Sequence, residues 1–406
     1  MNASNRFKLA MFFMVLSVLT VWVNAGNLNP PAGAITGTMK DLSTVEPRTP
    51  ISSLPYTIGL PGSYYLTKDL TGGTGQSGII IVSSDVTLDM CGFALHGVPG
   101  SLDAITISGA HSRISISNGK ISSWDGIGIN TQSSHKVTLC MMHTEDNGKG
   151  TDGDGDTHVL YMLSDGNRDG GIKVGDDGLI VDSSALGTTN GPGIMTGNGC
   201  KVEDCVANDN FGDGIAVGEG CVVAHCTMSH NGGNGLAASS GANSRGSNIT
   251  DCMALNNFTN GFALAAGSTI ATCTAQANSV DGISVANGCT VRNCTTRGNL
   301  TNGIEAVGEC TIANNNSSVN GSSGTGAGIR VSSGPGTRVE ENNCANNGHN
   351  FDIVGTGNLI VKNSSNGGGT GGISGSGYYI SAGNSFGAIT FVSGTFNVGA
   401  WVNLQY

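Results

Sequence analysis

Apolar residues in the middle of the chain fall in short alternating pulses. Within 215–235, Ile215 and Val217 alternate with small residues, Cys221 and Val223 follow, and Cys226 and Met228 come last. Each pulse has the period of two that marks a strand. Turn-forming stretches, "GEG", "AH" and "HNGGNG", separate the pulses. No pulse is long enough to bury a face by itself. The unit then recurs: first strands start at Ile194, Ile215, Leu236, Phe262, Ile283, Ile304 and Ile329, in steps of 21, 21, 26, 21, 21 and 25. The long steps hold insertions, "SSGANSRGS" and "NGSSGTGAG". Earlier starts fall at Ile105, Ile127, Thr151 and Ile172, later ones at Phe351 and Ile373. Repeats of this length that cannot bury a face alone must stack on one another. The pattern therefore predicts an all-β solenoid of about a dozen turns, with three short strands per turn and a rod about 60 Å long at ~4.8 Å per turn.

Alignment of the turns yields columns. Val202, Val223, Ile249, Ile270, Val291 and Ile312 share one position. Cys205, Cys226, Cys252, Cys273 and Cys294 share another, which Asn315 takes on the next turn. Asn210, Asn231, Asn257, Asn278 and Asn299 stand at the last corner. Three residues later come Asp213, Asn234, Asn260, Asp281 and Asn302, each followed by glycine. A corner amide can donate to one turn and accept from the next, serving backbone that the bend leaves unpaired. The glycine after it is expected to supply a positive φ.

On the N-x-x-[DN]-G-[ILF] corner and these stacked columns, the chain resembles the pectate-lyase-like superfamily of right-handed parallel β-helix proteins. The resemblance spans about residues 78–372. It implies the right hand, in keeping with parallel crossovers in general. It also implies a choice among lyase, hydrolase, epimerase and non-catalytic roles, because a fold does not determine an activity. Residues 51–77 are expected to cap the N-terminal end, and the aromatic-rich 373–406 the C-terminal end. Residues 26–50 read as a leader.

Residues 1–25 read as a secretory signal peptide: Arg6 and Lys8, then the apolar run 9–23, then a small-residue site ending at Ala25. A secreted, extracellular protein follows, with no later segment apolar enough to span a membrane. Cleavage removes two of 18 basic residues and leaves 16 against 29 acidic ones, a net of −13. That balance argues against nucleic acid and anionic lipid as partners. Gly contributes 66 residues and charged residues only 12%, which is turn chemistry repeated many times.

The 12 cysteines leave three readings open: stacked free thiols in the core, some disulfides between neighbouring turns, or zinc. Zinc has least support, since C-x2-C is absent and no His clusters with the pairs.

Candidate chemistry sits where the columns break. The turn 151–171 carries Asp152, Asp154 and Asp156 on its first strand, and Asp156 stacks on Asp177 of the next turn. Asp165, Asn167, Asp169 and Asp176 match the spacing of an EF-hand loop, although the last ligand is Asp and the corner motif already accounts for part of it. These eight residues form a candidate Ca²⁺ site, all-oxygen in its donors. A second constellation uses the outward position of the first strand: Met195, Ala216, Ala237, Ala263 and Ser284 lead to Glu305, Arg330 and Asp352. In β-helix lyases an acid and a base on one face bind uronate and abstract a proton, so the resemblance offers these three as candidate catalytic residues. A surface ion-pair ladder is the reading the residues favour, since a productive site also needs a cleft and perturbed pKa values. Polygalacturonase-like signatures are absent; "NTQ" from Asn130 and "GHN" from Gly348 stand alone. Two functions remain: a structural or carbohydrate-binding surface protein, or a lyase or epimerase acting on acidic polysaccharide, with or without Ca²⁺.

Overall fold

A computed structural model describes residues 46–239, 246–321, 326–367, 377–391 and 401–405. The proposed signal peptide and most of the leader lie outside these residues. The unit from Arg48 to Tyr406 is a parallel β-solenoid of about 14 turns, with no helix among the described residues.

Strands of about three residues repeat, as in Ile215–Val217, Val222–Ala224 and Thr227–Ser229. Each pairs in parallel with its equivalent one turn on: Ile215 faces Leu236, Val223 faces Ile249, and Met228 faces Ala254. The second and third strands of each turn form one continuous sheet, because Ser112–Ser122 and His135–Glu145 run through the corner between them. First strands make a five-stranded and a ten-stranded sheet. The break falls between Lys149–Gly153 and Ile172–Val174, at the acidic turn. There Gly150 and Thr151 still donate to the carbonyls of Gly170 and Gly171, but Lys173 N donates to the Thr151 hydroxyl, which ends the ladder.

Residues 51–77, expected to form a cap, make a turn of their own: Tyr56–Ile58 pairs with Ile79–Ile81, and Gly62–Leu66 with Val86–Asp89. At the other end Tyr378–Ile380 continues the first sheet, and Asn403–Gln405 pairs with Ser364–Asn366.

The core is one apolar column per inward position. All 12 cysteines are free, and ten of them are buried. In the longest stack, the backbone N–H of Cys226 meets the Cys252 sulfur at 3.4 Å, and that of Cys252 meets Cys273 at 3.4 Å. They act as small core hydrophobes with a weak acceptor.

The corner asparagines form a continuous buried ladder. Asn257 donates from its backbone N–H and from Nδ2 to Asn278 Oδ1, both at 3.0 Å, and Asn278 does the same to Asn299 at 3.0 and 2.9 Å. Each Nδ2 also donates to a carbonyl of the preceding turn, Met228 from Asn257 and Ala254 from Asn278. Where the cysteine column ends, Asn315, Asn342, Asn363 and Asn403 continue it as a second ladder.

Glycine after the corner serves a purpose other than the expected one. Gly214, Gly235, Gly261 and Gly282 do not have positive φ. A Cβ at Gly261 would sit 2.5 Å from the Gly282 carbonyl and 2.7 Å from the Asn278 amide, so these glycines make room for the ladder. Positive φ occurs instead one residue before the inward Cys and Asn positions, as at Asp204 (54°), His225 (54°), Asp209 (58°) and His230 (55°). A single left-handed residue makes each bend, and Asp, Asn and Gly take that conformation most readily.

Asn278→Ala deprives the Asn257 N–H and Nδ2 of their acceptor and the Ala254 carbonyl of a donor. Asn257 Nδ2 keeps the Met228 carbonyl, so the Asn257 N–H is the group left orphaned. At about 1–3 kcal/mol for a buried orphan, the variant should unfold at a clearly lower urea midpoint, with a loss of at least about 1 kcal/mol. An unchanged midpoint would show that the ladder adds nothing.

Candidate functional site

The outward column of the first sheet runs the length of the rod. Register places Asn130 beside Asp152, Lys173 beside Met195, and then Ala216, Ala237, Ala263, Ser284, Glu305, Arg330, Asp352 and Tyr379 in sequence. Because Ala216, Ala237, Ala263 and Ser284 are short, the face between larger neighbours is a groove of about 890 Å³. Asp213 borders it on the near side of the strands, and Ser239, Asn287 and Val307 on the far side. Lys173 and Glu305 are six turns apart, about 29 Å at ~4.8 Å per turn.

At one end of the groove the structure brings Glu305, Arg330 and Asp352 together. Arg330 Nε lies 3.7 Å from Glu305 Oε2 and 3.5 Å from Asp352 Oδ2, and it is buried without a hydrogen-bond partner. The two carboxylate oxygens are therefore no more than about 7 Å apart, on either side of the guanidinium. The side chain of Glu305 is only 18% exposed. Burial pushes its pKa up to about 6; a hydrogen bond from Ser332 and the charge of Arg330 oppose the rise, while Asp281 and Asp352 add to it. Sequence reasoning passed over Asp281 and Asn302, which it read as corner residues. Asn302 Nδ2 donates to Asp281 Oδ1 at 3.0 Å and to Glu305 Oε2 at 3.0 Å, tying the corner to the site. Burial raises the Asp281 pKa as well, against hydrogen bonds from Asn302. The sign that could have revealed it is the return of Asp to a corner column otherwise held mostly by Asn.

The candidate Ca²⁺ ligands do not converge. Asp152 is buried and bonded to Lys173 Nζ at 2.7 Å and Lys149 Nζ at 2.9 Å. Burial disfavours its charge, but hydrogen bonds from Lys173, Lys149 and Gln132 outweigh burial and hold its pKa below the ordinary value. Asn167 belongs to the corner ladder: Oδ1 accepts from Asn147, and Nδ2 donates to Ser164 and Thr144. Asp154 accepts from the N–H of Ser133 and Gly155. Asp176 accepts from Asn198 N–H, and Asp169 from Arg168 and Asn190. Asp156 and Asp177 are exposed bend residues at positive φ, in the register the spacing predicted. Asp165, half-buried, ends a third strand at the far side of its turn from Asp152 and Asp154. Among the described residues, Glu203, Asp204 and His225 bring one donor atom each within 4.8 Å of one another.

No protein-family model and no curated protein matches the chain. Similar solved structures include the periplasmic alginate epimerase AlgG, at 14% identity and a TM-score of 0.49, covering 74% of this chain and 77% of that one. The A-module of the Azotobacter vinelandii mannuronan C-5 epimerase AlgE6 shares 14% identity at a TM-score of 0.41, over 85% and 89% of the two chains. The catalytic domain of a GH87 α-1,3-glucanase in complex with nigerose shares 11% at 0.39, over 67% and 59%. These likenesses assign no activity to the chain.

The folded pKa of Glu305 lies above the ordinary 4.5 of a glutamate. The folded state therefore holds this proton more tightly, and stability falls as pH rises from about 4.5 to about 6. Glu305→Gln should remove that fall. Its stability relative to the parent should rise by up to about 2 kcal/mol between pH 4 and pH 7, read by denaturant unfolding at both. A difference that does not change with pH would show that Glu305 titrates normally.

Proposed function

We propose that the protein binds an extended polysaccharide along the groove of its first sheet. The observation that carries this is the alanine and serine floor, flat and nearly uncharged over four successive turns, with larger side chains on either side. A sugar chain can lie flat on small side chains and use its hydroxyls on Asp213, Ser239 and Asn287. At the charged end, three carboxylates, Asp281, Glu305 and Asp352, face one guanidinium. That excess disfavours a polyanion and favours an uncharged polymer. The apolar N-terminal run supports a site of action outside the cell.

A second reading rests on Glu305. A buried carboxyl that titrates near pH 6 can give or take a proton at working pH, and the partly exposed Arg330 guanidinium sets a positive charge beside it where negative charge develops. Lyase, epimerase and hydrolytic chemistry all use such a pair. The two readings separate at Glu305→Gln, which abolishes turnover of a bound polymer if the group is catalytic and leaves binding intact.

Ala263→Arg fills the groove while leaving the inward columns untouched. Titration calorimetry with uncharged and uronate oligosaccharides should show binding of the uncharged ones by the parent, and a loss of at least about tenfold in the variant at an unchanged melting temperature. Equal affinity in the variant would place the sugar elsewhere.

A further inference from the structure

A second constellation stands away from the groove, at the bend between second and third strands. Consecutive turns place Asp182, Asp204, His225 and Asp251 there, each at positive φ. His225 lies between two carboxylates, with Nδ1 3.7 Å from Asp204 Oδ1 and Nε2 3.9 Å from Asp251 Oδ2. Both separations exceed the ~2.7–3.2 Å of a hydrogen bond, so the imidazole is bonded to neither. Glu203 precedes Asp204 at the end of Lys201–Glu203. One donor atom each from Glu203, Asp204 and His225 fall within 4.8 Å of one another.

We infer that Glu203, Asp204 and His225 form a surface site for a divalent transition-metal ion of the zinc type. The chemistry of the donors selects the ion. One imidazole with two carboxylates suits zinc, whereas calcium takes oxygen alone and more of it. Bonds of about 2.0–2.2 Å in a tetrahedron leave donors roughly 3.3 Å apart. The His225–Asp204 pair, at 3.7 Å, is already near that, and no pair is farther apart than 4.8 Å. Their side chains can close the rest: His225 and Asp204 are about half exposed, and Glu203 partly so. Electrostatics favours it as well. Asp182 and Asp204 stand on neighbouring turns and Asp251 one turn beyond His225, and a cation beside His225 relieves the repulsion among them. Glu203 gives up its ion pair with Lys201, now at 2.5 Å, in exchange. An exposed pair of that kind is worth little. Because Glu203 and Asp204 belong to one turn and His225 to the next, the ion bridges successive turns.

Isothermal titration calorimetry with zinc chloride and with calcium chloride tests this. Zinc should bind one-to-one and raise the melting temperature, and calcium should give no saturable heat. His225→Ala and Glu203→Gln should each weaken zinc by at least about tenfold, since a lost ligand costs no less than a lost outer-shell partner. Neither change reaches the core, so both metal-free variants should melt with the parent. Absence of saturable zinc binding, or parental affinity in His225→Ala, would overturn the assignment.

Discussion

The solenoid depends on buried amides at its corners. A chain that bends every few residues leaves peptide groups pointing inward with no strand partner, and in a dry interior each such group is costly. Asn answers this with one side chain. Its Oδ1 accepts the N–H and Nδ2 of the turn before, and its Nδ2 reaches a third-strand carbonyl of that preceding turn. Because each Asn satisfies its neighbour, the arrangement works only if every turn repeats the corner in register. The inward cysteine, valine and alanine columns then follow, since the same register carries them.

That register also shapes the outer surface. A strand whose inward residues stack must stack its outward ones too. Small outward residues on four consecutive turns thus become a groove, and charged ones become a cluster in which Arg330 lies between Glu305 and Asp352. Burial of Glu305 follows from the same crowding, and burial is what raises its pKa. The groove and the acid at its end are therefore consequences of one geometric rule applied to the outside of the coil.

Much of the architecture was legible in the chain, because a repeat of 21 residues exposes its register to simple alignment. Counting placed the cysteines inward without deciding that they are free, but the Val, Cys and Asn columns and the contact of Glu305, Arg330 and Asp352 could all be read that way. Three things could not. Asp152 looked like a ligand because its charge was visible, whereas the lysines that neutralise it, Lys149 and Lys173, meet it only in space. Glycine after the corner looked like a φ requirement, but it answers a steric one imposed by an Asn on the neighbouring turn. His225 did not stand out because it occupies a bend position that Asp holds on both sides, and only the fold sets imidazole between carboxylates.

The central claim is that the register that builds the core also aligns the outer column into a binding surface. A crystal structure with a bound uncharged oligosaccharide tests it most directly. The account predicts sugar rings running parallel to the rod axis over Ala216, Ala237, Ala263 and Ser284, with one end approaching Glu305. Sugar bound on the sheet of second and third strands, or lying across the axis with the alanine floor bare, would contradict it.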